Sequence, residues 1–144
     1  MSPTDLQFSE HDDEFPPDAA AAVDQGLDGF NAAAAPLHEV RSLAVFARDA
    51  SGAVLGGAIG RHWGEACELQ ELWVVESQRG LGLGTALLRR FEARALVHGS
   101  WRFYLTTFSF QARGFYERQG YAVAHALDVF PHGIVKYTMT KTLG

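Results

Sequence analysis

An unusual spacing of glycines follows an arginine at residues 77–90, which read SQRGLGLGTALLRR. Gly80, Gly82 and Gly84 occupy alternate positions immediately before a run of helix-forming residues. Glycine costs about 0.5–1 kcal/mol relative to alanine within a helix or a strand, so this spacing requires a reason. Two explanations compete: a plain turn between a strand and a helix, or a loop whose backbone N–H groups closely approach an anionic ligand.

A glycine-rich turn that leads into a helix N-terminus is suited to an anion, because unpaired N–H groups converge there and the helix dipole adds positive potential. Two well-known phosphate-binding patterns do not fit these residues. The P-loop requires a lysine after its last glycine, whereas Thr85 follows Gly84. The dinucleotide fingerprint G-x-G-x-x-G also fails, since Thr85 or Leu87 stands where its third glycine is required.

Composition and charge narrow the class of protein. Of the 144 residues, 47% are hydrophobic and 20% are charged, a balance typical of one soluble globular domain. The net charge of −5 and the scattered basic residues argue against a nucleic-acid partner. Without an apolar run of roughly 18–20 residues or a signal-like N-terminus, we expect a cytoplasmic protein with no membrane partner. Cys67 is the single cysteine, which leaves neither a disulfide framework nor a zinc cluster of cysteines.

The order of apolar patterns and turn signals predicts a mixed α/β domain, with strand–loop–helix units in the middle of the chain and antiparallel strands on both sides. We predict strands at residues 4–9, 42–48, 53–62, 65–76, 102–108, 121–127 and 134–140, and helices at 14–35, 85–97 and 109–120. Residues 1–15 are expected to be partly flexible, and residues 4–144 to form a single domain.

The pattern R-x-x-G-x-G, formed by Arg79, Gly82 and Gly84, resembles the GNAT family of acetyl-CoA-dependent N-acetyltransferases. The apolar strand ELWVVES before the loop and the stretch FYERQGY at 115–121 resemble the flanking strand and the second signature of that family. The resemblance runs from about residue 42 to residue 140. It implies the GNAT fold, a mixed sheet of six to seven strands flanked by helices, with acetyl-CoA as acyl donor and no metal.

In that resemblance the glycine loop cradles the pyrophosphate of coenzyme A, and the main chain of the preceding strand pairs with the pantetheine arm as an added strand would. Many members place an asparagine seven residues before the signature tyrosine; here Ser109 stands in that position, and Gln111 could substitute. The resemblance therefore implies cofactor contacts from Leu72, Trp73, Val74, Arg79, Gly80, Leu81, Gly82, Leu83, Gly84, Thr85, Ser109 and Gln111.

Acyl transfer from a thioester to an amine requires a neutral amine, a donor for the developing oxyanion and an acid for the departing thiolate. By resemblance, the N–H of Val74 polarises the thioester carbonyl and Tyr116 protonates the sulfur. The alternative for Tyr116 is an aromatic residue packed on a short amphipathic helix. Glu68 and Glu71 are candidates for ordering the deprotonating water; regular alternation places them on opposite faces of the strand, unless a bulge intervenes.

The acceptor pocket is expected to form from the first helix, the turn at His62 and Trp63, and the loop that contains Phe130 and His132. Trp63 and Phe130 offer apolar walls or cation–π contacts, or else ordinary packing. His62 and His132 are alternative bases, or else lie at the surface or in the core.

The leading hypothesis is an acetyl-CoA-dependent N-acetyltransferase that acts on a primary amine, of a small molecule or a peptide, by direct attack on the thioester. The frequent homodimers of the family favour a homodimer. One alternative is an acyl-CoA-binding sensor module without turnover. Another is an oligomeric protein in which the glycine loop is only structural.

Overall fold

The computed structural model describes residues 5–144, which divide into two compact units: a first unit ending at Glu39 and a second unit, Val40–Gly144. In the first unit, helix α1 spans Pro17–Ala34, and a short 3-10 turn follows at Leu37–Glu39. Proline suits the first helical position because no intrahelical N–H bond is needed there. None of the residues of α1 is buried.

The strand predicted at residues 4–9 is wrong over residues 5–9, which form no strand, and its first residue lies outside the described part of the chain. An isolated segment gains no ladder hydrogen bonds, and all the residues from Leu6 to Ser9 are exposed. Residues 5–9 therefore lack the neighbouring strand that a β-strand needs for its backbone hydrogen bonds.

The second unit contains a six-stranded mixed sheet in the order β1-β2-β3-β4-β6-β5. Its elements are β1 Arg41–Arg48, β2 Val54–Trp63, β3 Ala66–Val74, α2 Leu83–Val97, β4 Arg102–Phe108, α3 Arg113–Arg118, β5 Ala122–Leu127 and β6 Lys136–Thr142. Strands β3 and β4 are parallel and every other neighbouring pair is antiparallel. The predicted α/β class with a mixed sheet of six to seven strands flanked by helices is confirmed.

The parallel pair β3–β4 parts along its length. The two strands pair only at the beginning of each, where Ala66–Glu68 lie opposite Arg102–Tyr104. Beyond Glu68, β3 continues to Val74 without a ladder to β4, so a gap opens between the strands. Because parallel strands have their carboxyl ends at the same edge of a sheet, the glycine loop and the end of β4 share that edge.

Helix α2 lies against strands β1, β2 and β3, and its apolar residues form much of the core: Leu87, Leu88, Phe91 and Ala95. Small residues on β2 allow this close packing. A Cβ atom at Gly60 would lie 2.8 Å from Cζ of Phe91 and only 1.9 Å from the carbonyl oxygen of Glu68. The helix that follows the glycine loop is thus held firmly on the sheet.

Candidate active site

The glycine loop joins the carboxyl end of β3 to α2. Gly80 and Gly82 have φ angles of 76° and 86°, in the left-handed region that glycine adopts without strain. A Cβ atom at either position would meet no atom of the protein within 4 Å. The backbone conformation, rather than crowding by protein atoms, therefore selects glycine here, and the outer side of the loop is left bare for a ligand.

Helix α2 begins at the loop without a capping side chain. Gly82 is its N-cap residue and no side-chain hydrogen bond satisfies the first turn. The N–H groups of Leu83, Gly84 and Thr85 are therefore available where the helix dipole is most positive. This arrangement suits an anion.

A cavity of about 500 Å³ lies at this edge of the sheet. That volume is within the usual range for small-molecule sites. Most of the predicted cofactor residues line it: Leu72, Trp73, Val74, Arg79, Gly80, Gly82, Leu83, Gly84 and Thr85. Its charged lining consists of Arg79 and Arg118, with no acidic side chain among the lining residues that the structure describes. The cavity therefore favours a partly anionic ligand.

Val74 directs its backbone toward the gap between β3 and β4. The N–H of Val75 donates to the carbonyl of Leu55 on β2, at 2.8 Å. Successive backbone groups along a strand alternate in direction, so the N–H and the carbonyl of Val74 point away from β2. The carbonyl oxygen of Val74 accepts a hydrogen bond from Nε of Arg79 at 3.1 Å. The other N–H donors of the Arg79 guanidinium are not used in this bond.

Three of the predicted cofactor residues do not line the cavity. The hydroxyl of Ser109 accepts a hydrogen bond from the N–H of Val135 at 3.0 Å, which ties the end of β4 to the residues before β6. The side-chain oxygen of Gln111 accepts from the N–H of Phe108 at 2.8 Å. Leu81 lies in the loop but points outward and is 72% exposed. Local hydrogen bonds engage the side chains of Ser109 and Gln111 in this structure, and the cofactor contacts of Ser109, Gln111 and Leu81 stay predictions of the sequence.

Tyr116 lies on α3 in the core beside the cavity, with 7% of its surface exposed. Its ring packs edge-on against Phe115, which lines the cavity, with 5.3 Å between ring centroids. Burial raises the pKa of Tyr116 to about 12, so the phenol keeps its proton at neutral pH.

The two glutamates proposed for the base occupy different places on β3. Glu68 lies at the beginning of the strand, where its Oε1 accepts a hydrogen bond from Nε of Arg61 at 2.9 Å. Glu68 lies six positions before Val74, roughly 20 Å along a strand, so Glu68 does not reach the gap beside Val74. Its role as base stays a prediction, and this distance does not favour it. Glu71 is exposed and lies only three residues before Val74.

A bulge at Gln70 decides which face these glutamates share. The β2–β3 register shifts there, since Gly60 pairs with Leu69 and Ile59 with Glu71. Leu69 and Leu72 both pack toward the core across the bulge, so Glu68 and Glu71 lie on the opposite face together. The bulge that the sequence left open as the alternative is present and adds one residue, so regular alternation does not apply to Glu68 and Glu71.

The turn at His62 and Trp63 lies at the far end of β3 from the glycine loop. His62 pairs with Cys67, seven residues before Val74, which corresponds to roughly 20 Å along the strand. Its ring stacks on His98 with 4.6 Å between centroids, and burial, with the nearby His98 and Arg41, lowers the pKa of His62. The structure does not bring His62 and Trp63 to this cavity, and their place in the acceptor pocket stays a prediction of the sequence.

Phe130 and His132 lie in the loop between β5 and β6. The Phe130 ring packs edge-on against Phe108, the last residue of β4, with 5.7 Å between centroids. Because β4 ends at the same edge of the sheet as β3, the β5–β6 loop lies at the edge where β3 and β4 part. His132 follows Phe130 in a 3-10 turn and has a left-handed φ of 62°.

Sequence reasoning missed several residues that line the cavity: Gln78, Ala112, Phe115, Arg118 and Gln119. Helical spacing would have found part of this set, because Ala112, Phe115 and Gln119 follow one another at three and four residues within the predicted helix 109–120. Among the described residues, no group of three or more potential metal ligands occurs. No helix in the same range is long and apolar enough to cross a membrane.

Comparisons with known proteins agree with this geometry. The sequence profile of the acetyltransferase (GNAT) domain matches residues 41–123. A blasticidin-S acetyltransferase of Streptomyces morookaense is 38% identical over 112 residues, which cover 75% of this chain and 82% of that protein. These findings, with the parted strands and the glycine loop, define an acetyltransferase. The chain belongs to the GNAT acetyltransferase family, and the predicted resemblance is confirmed.

Two solved structures share the fold. An acetyltransferase from Bacillus cereus has a TM-score of 0.76 at 24% identity, with 93% of this chain and 98% of that chain covered. A Bacillus anthracis structure in complex with acetyl coenzyme A has a TM-score of 0.63 at 16% identity, with 72% and 63% covered. At these identities the likeness establishes the fold alone.

Proposed function

We propose that this chain is an acetyl-CoA-dependent N-acetyltransferase that acetylates a primary amine of a small molecule by direct attack of the amine on the thioester. The observation that carries the proposal is the cavity beside the parted strands, lined by the uncapped start of α2 and by two arginines. The coenzyme, when bound, supplies an activated acetyl thioester. The acetyl coenzyme A in the Bacillus anthracis relative of this fold supports that choice of donor.

The residues around the cavity fit a diphosphate-containing ligand. Backbone N–H groups at Gly82–Thr85 present donors at the positive end of a helix, and Arg79 and Arg118 add two positive charges. The free edge of β3 at Leu72–Val74 offers backbone groups to the amide-containing arm of the same ligand, in place of the missing β4 partner.

Val74 and Tyr116 take the two polar tasks of the transfer step. The N–H of Val74 points into the gap and donates to the thioester oxygen as negative charge develops there. Tyr116 keeps its proton and donates it, or shares it in a hydrogen bond, when the thiolate departs. A buried phenol suits this task, since its proton is not lost to solvent at neutral pH.

Glu71 is the carboxylate that we assign to ordering the water that deprotonates the amine. It lies on the same face of β3 as Trp73, which lines the cavity, and it belongs to the exposed part of the strand. An alkylammonium has a pKa near about 10.4, so deprotonation must precede attack, and a water ordered by a carboxylate provides the route.

The acceptor approaches from the side of the β5–β6 loop. Phe130 and Phe108 form an apolar wall there, and Phe110 stacks on Phe108 with 5.4 Å between centroids. The name of the Streptomyces morookaense relative supports a small-molecule antibiotic as the acceptor class. The cytoplasmic location, the homodimer, the single domain and the lack of a nucleic-acid partner stay predictions of the sequence.

The test is a turnover assay in which thiol release from acetyl-CoA is followed with a panel of amines that includes blasticidin S. Mass spectrometry of the product then locates the acetyl group. We expect amine-dependent thiol release and an N-acetylated product. Tight binding of acetyl-CoA without release for any amine would instead identify the sensor module, in which the same cavity holds the ligand without turnover.

A further inference from the structure

A polar cluster lies in the core beside Tyr116. Its centre is Glu92 of α2, of which only 4% is exposed. One carboxylate oxygen accepts a hydrogen bond from the hydroxyl of Tyr121 at 2.8 Å, and the other pairs with Nζ of Lys141 at 3.0 Å. The cluster therefore joins α2 to Tyr121, which precedes β5, and to Lys141 on β6.

Burying this much polarity is costly unless every group has a partner. A carboxylate and an ammonium lose several kcal/mol of hydration on burial, and good hydrogen bonds recover that loss only when the geometry is held. Here both oxygens of Glu92 are bonded, and no buried side-chain polar atom lacks a partner among the described residues. Apolar residues could fill the same space, so the cluster calls for a reason beyond stability.

Tyr121 connects the cluster to the proposed catalytic phenol. Its ring lies edge-on to the ring of Tyr116, with 5.8 Å between centroids and 70° between planes. Its N–H also donates to the carbonyl of Tyr116 at 3.0 Å. The rings of Phe115 and Tyr121 both pack edge-on against Tyr116, so they restrict the orientation of its ring and of the hydroxyl that the ring carries.

We propose that Glu92, held by Lys141, is a positioning residue: it fixes the ring of Tyr121, and the Tyr121 ring in turn holds the phenol of Tyr116 in its reactive orientation. The inference rests on the proposed function, in which Tyr116 supplies the proton to the leaving thiolate. Displacing a catalytic group by about 1 Å can lower the rate by up to 10²-fold. Contacts that fix the ring of Tyr116 therefore affect turnover. Glu92, Tyr121 and Lys141 themselves need not touch either substrate.

A merely structural role makes a different prediction for combined variants. If Tyr121 acts through Tyr116, its hydroxyl is irrelevant once the Tyr116 phenol has been removed. The loss in kcat caused by Tyr121→Phe should then disappear in a Tyr116→Phe background. If the cluster only stabilises the fold, both losses should multiply, and KM should change along with kcat.

The experiment measures kcat and KM for the wild type, Tyr121→Phe, Tyr116→Phe and the double variant, well below the thermal midpoint of each. Tyr104→Phe is the matched control, because it removes a phenolic hydroxyl from β4 without contact to Tyr116. We expect Tyr121→Phe to lower kcat about tenfold, on the scale of a misplaced catalytic group, with KM within twofold of wild type and no further loss in the double variant. Tyr104→Phe should match the wild type.

If Tyr121→Phe does not fold, Glu92→Gln replaces it, since the glutamine keeps the volume and still accepts from Tyr121 but loses the ion pair with Lys141. We expect a smaller loss in kcat that again disappears in the Tyr116→Phe background. Multiplying losses, or an unchanged kcat in Tyr121→Phe, would overturn the inference while wild-type turnover leaves the proposed function standing. A wild type that turns over no amine would overturn the proposed function, and the inference with it.

Discussion

The side-chain amide of Gln119 donates a hydrogen bond to the hydroxyl of Thr85, with 3.0 Å between Nε2 and Oγ1. Gln119 directly follows α3 and Thr85 lies in the first turn of α2, so this bond joins the two helices at the cavity that both residues line. Because the hydroxyl oxygen accepts from the amide, its own proton is left to donate to an anion in the cavity. Gln119 thereby orients the hydroxyl of Thr85, which adds a side-chain donor to the backbone N–H donors of the glycine loop.

Replacing Gln119 by Glu should weaken the binding of coenzyme A by at least tenfold. The new carboxylate would accept the proton of Thr85 and would bring negative charge into a cavity whose charged lining is two arginines. Titration calorimetry measures the change, and Gln25→Glu, on the exposed surface of α1, is the control for added charge. Equal dissociation constants for Gln119→Glu and the control would contradict this role.

Replacing Tyr116 by Phe should lower kcat by about 10²-fold, the lower scale of general acid contributions, with the affinity for coenzyme A changed less than twofold. Burial raises the pKa of Tyr116 to about 12, so its proton stays in place as pH rises from 7 to 10. The pH profile of kcat should accordingly show no loss attributable to this phenol below pH about 10. A loss of affinity as large as the loss of kcat would argue against an acid role.

Replacing Gly82 by Val should abolish coenzyme binding, because a side chain would occupy the space of the phosphates. The matched control is Gly52→Val, in the turn between β1 and β2. The φ of Gly52, 88°, is close to the 86° of Gly82, and an added Cβ meets no atom within 4 Å at either position. Both substitutions impose the same kind of backbone strain and should lower the thermal midpoint similarly. Only Gly82→Val should lose binding; retained binding would mean that the loop is structural.

The free energy of unfolding should fall as pH rises above 9, and Cys67 should account for the first part of that fall. Burial, and then the nearby carboxylates of Glu92 and Glu68, raise the pKa of Cys67 from 9.0 to about 12. Between those values the unfolded thiol loses its proton while the folded thiol keeps it, so stability is fully present below pH 9 and declines toward pH 12. Urea unfolding at pH 7 to 10 should give a flatter profile for Cys67→Ala than for the wild type. Parallel profiles would show that the thiol does not contribute.

Local chemistry explains what could be predicted from the sequence. The left-handed glycines, the helix after them and the six strands of the second unit follow from spacing along a few residues, and the structure has them close to the predicted ranges. The α3 helix is shorter than predicted, since Arg113–Arg118 forms the helix while Ser109 and Gln111 close the end of β4.

Register and distance explain what could not be predicted. Glu68 lies near the beginning of β3, and His62 lies opposite Cys67 on β2. Both are therefore at the end of this strand pair away from the cavity, a fact that the pairing of β2 with β3 fixes. The bulge at Gln70 likewise has no glycine or proline to mark it. Arg118 and Gln119 reach the cavity because α3 returns across the start of α2, which is a tertiary relationship.

The most direct test of the central claim is calorimetric titration of the wild type with acetyl-CoA, set beside acetylated pantetheine compounds that lack the pyrophosphate. If the glycine loop and the start of α2 hold that pyrophosphate, acetyl-CoA should bind with a micromolar Kd and the truncated compounds at least a hundredfold more weakly, a difference of about 2.7 kcal/mol. Equal affinities, or no detectable binding at millimolar acetyl-CoA, would contradict the account.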